Sequence, residues 1–238
     1  MTRFFLAIAV LTAANAAQAG FLTTSPTPPV IGPSDVVQSQ VAASGAFDLV
    51  HDFTDRPTPG QSFTTPNAAP AYRLNSITVK GVGPGELSPV VAAGAGFNTD
   101  NWHLRVSAIT GTLLTTLATE SAGATGLPDD GDFRYYVTFT FTTPVLLAPG
   151  STYAFDLFSE SGYFGLSRVG DVYAGGAAFN TTGVRDFSGT TADFTVGGDR
   201  TFYASLSPDV AAVPVPPTIA LALVGLLPLW RTGRRRRA

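Results

Sequence analysis

Cysteine is absent from this 238-residue chain, which excludes disulfides, zinc–thiolate sites and a cysteine nucleophile together. Charge is scarce too: 13% of residues are Asp, Glu, Lys or Arg, about half the share in an ordinary soluble protein. Lys80 is the single lysine, and His51 and His103 are the two histidines. Five of the fourteen basic residues, Arg231, Arg234, Arg235, Arg236 and Arg237, crowd into the last eight positions, and Arg3 stands near the start. From Gly20 to Ala212, eight basic residues face all seventeen acidic ones. A body of that sign argues against nucleic acid as a partner, because phosphate binding needs Lys and Arg to displace counterions. No cofactor is implied.

Glycine (25), proline (18) and many Thr and Ala take the place of charge. That mixture suits short strands joined by turns better than long solvated helices. The length allows one domain with flanking segments, and a body of that size can bury a sufficient core without disulfides.

The two ends carry the clearest signals. At the front, Arg3 precedes the apolar run Phe4 to Leu11, and Ala17-Gln18-Ala19 gives a small-x-small pattern. Residues 1–19 therefore read as a signal helix, cut between Ala19 and Gly20, and the chain as exported. At the back, Val213-Pro214-Val215-Pro216-Pro217 is followed by an uncharged run, Thr218 to Trp230. Prolines keep the chain before a helix extended and are tolerated at its start. Thirteen residues give about 20 Å of helix at 1.5 Å per residue, a short span for a core of about 30 Å. Snorkelling arginine stems and local thinning can accommodate it. The cluster of Arg231, Arg234, Arg235, Arg236 and Arg237 after it is the topology signal: it fixes the tail in the cytoplasm and the body outside.

This tail resembles the PEP-CTERM type of sorting signal of Gram-negative bacteria: a V-P-x-P motif, an apolar helix, then an Arg-rich end. Pro214 and Pro216 match the two motif prolines, and Val215 stands where the commonest form has Glu. The resemblance covers about the last 26 residues. It implies a membrane-tethered precursor handled by an exosortase-type transpeptidase, and an association with extracellular polysaccharide and biofilm at the cell surface. A permanent, uncut membrane anchor is the competing expectation.

Between the ends, residues 20–44 are rich in Pro, Ser and Thr and read as an extended lead-in. From residue 45 to 207, period-two alternation dominates. Trp102, Leu104, Val106 and Ala108 share one face, while His103, Arg105 and Ser107 share the other, which reads as solvated. Phe133, Tyr135, Val137, Phe139 and Phe141 repeat the pattern, as do Tyr153, Phe155 and Leu157 opposite Thr152, Ala154 and Asp156. Such runs predict half-buried antiparallel strands. Further strands are expected at Gln61–Thr65, Leu74–Lys80, Leu113–Thr119, Tyr163–Ser167, Phe194–Val196 and Thr201–Leu206, with turns at Pro59-Gly60, Pro128 to Gly131 and Pro149-Gly150. Eight to ten short strands predict an all-β, antiparallel β-sandwich, jelly-roll-like. Residues 208–217 then serve as linker and sorting motif, 218–230 as the transmembrane helix and 231–238 as the cytoplasmic tail. The strings Gln61 to Thr65, Leu74 to Val79 and Leu146 to Tyr153 are similar to stretches of β-sandwich modules that precede such tails.

Chemistry is thinly represented. Neither histidine has a G-x-S-x-G neighbour or a ligand at i+4, so a nucleophile–base arrangement has no motif. A glycan hydrolase would need two opposed carboxylates, which sequence spacing cannot establish. Asp129, Asp130 and Asp132 around Gly131 form a weak calcium candidate that also reads as a solvated turn. Trp102, Tyr163, Phe164 and Tyr173 are the aromatics from which a carbohydrate-binding platform could be built. The expectation is a non-catalytic surface or matrix protein, with a carbohydrate-binding module and a secreted glycan hydrolase as alternatives.

Overall fold

Alternation becomes architecture in the computed structural model, which describes residues 18–19, 21–41, 47–51, 58–82, 101–123, 135–159, 163–181 and 187–209. The strands in chain order begin with β1 (Gln18–Ala19), β2 (Phe21–Ser25), β3 (Val36–Gln38), β4 (Phe47–His51) and β5 (Pro59–Thr64). Next come β6 (Tyr72–Val82), β7 (Asn101–Thr110), β8 (Leu113–Gly123), β9 (Tyr136–Leu147) and β10 (Thr152–Ser159). The last are β11 (Tyr163–Val169), β12 (Ala178–Thr181), β13 (Ala192–Asp193), β14 (Asp199–Arg200) and β15 (Phe202–Pro208).

They form two sheets. The first runs β1-β8-β7-β10-β5-β12-β13, antiparallel except for the parallel contact of β1 with β8. In the second, β6 is central, with β9 and then β2 on one side and β15 and then β3 on the other. The far end of β6 pairs with β11, which also carries β4 and β14. The chain is thus all-β and sandwich-like.

Alternation decides what lies between the sheets. Trp102, Leu104 and Val106 from β7 and Tyr153, Phe155 and Leu157 from β10 meet Leu74, Ile77 and Val79 from β6 and Val137, Phe139 and Phe141 from β9. Phe202 of β15 sits at the centre, 6.2 Å from the ring of Phe63 and 5.6 Å from that of Phe155 across the sandwich. Removing each such side chain from water contributes about 1.5–3 kcal/mol, and tilted ring pairs add to it.

Three expectations change. The turn expected at Pro59-Gly60 is instead the start of β5, with Pro59 opposite Asn180 and Gly60 between Asp156 and Phe179; a proline is tolerated at the first residue of a strand. The segment Phe194–Val196 is a single 3-10 turn. The Asp193 carboxylate accepts a hydrogen bond from the Thr195 N–H at 2.9 Å, and the chain leaves through Gly197 and Gly198 at φ 64° and 70°. Side-chain capping and two left-handed glycines defeat the strand signal of three β-prone residues. Within the expected lead-in 20–44, Phe21–Ser25 pairs with Tyr136–Thr140 and Val36–Gln38 pairs with Phe202–Ala204, so part of it belongs to the sheet.

No helix among the described residues is long and apolar enough to cross a membrane. The expected helices at 1–19 and 218–230 lie outside the described residues, apart from Gln18 and Ala19, and so does the tail 231–238.

Candidate functional site

Most of the residues singled out by sequence lie outside the described part of the chain. These are Ala17 and Gly20 of the cleavage pattern, and Val213, Pro214, Val215 and Pro216 of the sorting motif. The topology arginines Arg231, Arg234, Arg235, Arg236 and Arg237 lie outside it as well, as do Asp129, Asp130 and Asp132. Ala19 is described, paired in β1 with Ser121 of β8. Among the described residues, no group of three or more His, Asp or Glu could hold a metal ion.

The aromatic candidates separate. Trp102 is buried between the sheets. Tyr173 is half-buried, edge-on to Phe202 at 5.4 Å, and its hydroxyl accepts a hydrogen bond from the Thr64 N–H at 3.3 Å. Neither offers a face for a sugar. The side chains of Tyr163 and Phe164 lie outside the described part.

The unexpected chemistry is on the other face of the first sheet. Alternation places His103, Arg105 and Ser107 there correctly, but that face is not solvated: Arg105 and Ser107 are each 1% exposed. The reason is tertiary. After β12 the chain returns across this face, and Phe179, Ala192, Leu114 and Ala154 close into a second small core with Ile109 and Phe194 against it. Backbone bonds from Leu114 N–H to Thr190 and from Ala192 N–H to Thr112 seat the covering segment, at 2.8 Å each.

Beneath it lies a clasp. Arg105 Nε and Nη2 donate to Asp156 Oδ1 and Oδ2 at 2.9 and 2.8 Å, a bidentate fork between neighbouring strands. Its Nη1 donates to the carbonyls of Phe187 and Gly189, both at 2.8 Å. The guanidinium also lies 4.9 Å from the Phe187 ring centre. Burial pushes the Asp156 carboxyl up to about 6, against the opposing pull of Arg105 and, more weakly, Arg200. Phe187 itself has φ 58°, a conformation uncommon outside glycine, which its fixed carbonyl and ring contacts hold in place.

The contacts continue outwards. Phe187 packs edge-on to Phe158 at 4.6 Å, Phe158 stacks on His103 at 4.3 Å, and His103 Nδ1 is 2.8 Å from Ser121 Oγ. Ser121 and His103 are directly opposed on β8 and β7. Their contact is a cross-strand pair, with the ring fixed by stacking.

A second polar node ties the sheets at the β14 end. Asp199 accepts from Gln61 Nε2 at 3.0 Å through one oxygen and from the Val172 and Tyr173 N–H groups at 2.8 Å through the other. The Arg200 N–H donates to Gln61 Oε1 at 2.9 Å, and the Arg200 guanidinium reaches the Gly60 carbonyl and Asn180. One signal for the first node is available before folding: Arg105 and Asp156 are isolated charges mid-strand in a chain otherwise poor in charge, whereas Asp199 and Arg200 follow two glycines and carry no such signal.

These arrangements hold the chain together, with their charged groups turned inward and engaged by partners on other strands. They define the class of molecule as an all-β, two-sheet body with part of one face covered by its own chain. No protein-family model matches the chain, and no curated protein matches it in sequence.

Proposed function

We propose that the chain is an exported protein of the cell surface or extracellular matrix, with a non-catalytic structural role. On this reading a signal helix at 1–19 directs export, Val213 to Pro216 forms the sorting motif, and 218–230 forms a transmembrane helix. Arg231, Arg234, Arg235, Arg236 and Arg237 form the stop that ends it. An exosortase-type transpeptidase is the partner that would process it, and extracellular polysaccharide the matrix it would join. The fold would be a jelly-roll-like sandwich, since β5 to β10 and β15 repeatedly pass from one sheet to the other.

The observation that carries the reading is the order of proline motif, uncharged run and arginine cluster from Val213 to Arg237 behind an all-β body. Supporting it, the charged groups Arg105, Asp156, Asp199 and Arg200 are each about 1% exposed or less and engaged in cross-linking strands.

The test is the intact mass of the protein recovered from its host after fractionation into cytoplasm, membrane and medium. The expected product begins at Gly20, ends between Pro214 and Pro217, and lies outside the inner membrane. A membrane-bound product that retains Arg234, Arg235, Arg236 and Arg237 would overturn sorting and leave a permanent anchor.

A further inference from the structure

We infer that β2 is an exchangeable strand, and that the β9 edge it occupies is an assembly surface for the β2 of a second copy of this chain. The inference rests on the proposed cleavage before Gly20, which would leave β2 at the amino terminus.

β2 is an edge strand held chiefly by its backbone. It pairs with β9 through Phe21↔Thr140 to Ser25↔Tyr136. Of its side chains, Leu22 packs against the core as a partly buried contact, while Phe21 remains 57% exposed. Its start is braced by β1, whose Gln18 and Ala19 lie parallel to Glu120 and Ser121 of β8. Cutting before Gly20 removes that brace.

What then holds β2 to its own sandwich is the linker from Pro26 to Asp35, with Pro26, Pro28, Pro29 and Pro33 among its ten residues. At about 3.1 Å per residue in an extended proline-rich conformation, it reaches about 31 Å. Its hydrogen bonds are local near Ser25, where Thr27 N–H donates to Ser25 Oγ at 3.1 Å. Its far end is fixed: Asp35 accepts from Gly32 N–H at 2.7 Å and from Leu206 N–H of β15 at 2.8 Å. The hinge is therefore the stretch before Gly32, where Val30 is 96% and Ile31 56% exposed.

The acceptor fits one occupant. Departure of β2 would leave the outer edge of β9 from Tyr136 to Thr140 unpaired, while its inner edge stays paired with β6 and Val137 and Phe139 stay in the core. An unpaired edge of that kind recruits a strand, and the identical β2 of another copy restores every bond and the Leu22 contact. Closed and exchanged forms then differ in hinge geometry and local concentration. Because donor and acceptor are different surfaces, exchange can propagate head to tail.

The absence of cysteine makes the test clean. Thr23 and Thr138 face each other across β2 and β9, and Thr23 is exposed. Full-length chains carrying Thr23→Cys or Thr138→Cys, distinguished by a tag, are co-expressed in the host and recovered under oxidising conditions. The expected result is a disulfide between the two different chains, at least roughly tenfold above a control pairing Thr23→Cys with Thr152→Cys. The double variant on one chain should give dimers and longer ladders. Linkage at the control level, with the double variant bridged only internally, overturns the inference, and that internal bridge would itself show the strands correctly paired. Intact mass of the same bands decides cleavage separately: ladders of chains still beginning at Met1 would show exchange without the cut and overturn both cleavage and the bracing assigned to β1, whereas unlinked chains beginning at Gly20 would establish the cut and overturn exchange.

Discussion

Arg105 holds both carboxylate oxygens of Asp156 at 2.9 and 2.8 Å while each residue is 1% exposed, joining β7 to β10 under a segment that comes later in the chain. The same guanidinium holds that segment through the carbonyls of Phe187 and Gly189. One side chain therefore links sheet and cover.

Replacing Arg105 with Ala should leave a buried carboxyl, the buried Gly189 carbonyl and the part-buried Phe187 carbonyl without their donor. Loss of one partner from a buried ion pair costs about 3–5 kcal/mol, and urea denaturation should report a loss in that range. The double variant Arg105→Met with Asp156→Leu should recover part of it, since a buried pair exchanged for apolar groups is often tolerated. A double variant no better than the single would mean that the carbonyl contacts dominate.

The raised Asp156 carboxyl gives a signed pH dependence. Its ordinary value is 3.8 and its folded value about 6, so between these the folded chain keeps a proton that the unfolded chain has released. Stability from this group is greatest towards pH 4 and is lost as the pH rises through 6. Denaturation midpoints followed from pH 4 to 7 should show this fall in the wild type. Asp156→Asn should flatten it.

Gly60 faces Asp156 on β5, and a Cβ there would run into the Phe179 ring, the Phe155 carbonyl and the Asp156 Cβ. Gly60→Ala should therefore lower stability by about 1–3 kcal/mol or more, as overpacking does. Gly170, with open space around it, is the control: Gly170→Ala should stay within about 0.5 kcal/mol. Equal effects at the two positions would show that the cover can shift to admit the methyl group.

Phe202→Ala should cost about 3–5 kcal/mol, because it empties the centre where Phe63, Phe155 and Tyr173 converge. Phe202→Leu should lose less. Calorimetry gives both values, and a drop below about 1 kcal/mol for the alanine variant would place the core's weight elsewhere.

The strands most legible in sequence are those with one clean apolar face. Trp102 to Val106 and Tyr153 to Leu157 read directly because period two is a local property of the backbone. Phe21–Ser25, Val36–Gln38 and Ala178–Thr181 do not read as strands: they are short, and two lie close to prolines. What stabilises them is a partner far away in the chain, such as β9 for Phe21–Ser25. The reverse happens at Phe194–Val196, where β-prone residues are turned by Asp193 and two glycines.

The sequence by itself determined the all-β character and which residues share a face, because alternation, turn residues and scarce charge are written in adjacent positions. The tertiary structure alone decided which face meets water. Arg105 and Asp156 sit at polar-face positions, but a chain segment returning from beyond β12 covers them, and burial depends on what packs above a face. A clasp built from Arg105, Asp156, Phe187 and Gly189 exists only once residues 105 to 189 have been brought together.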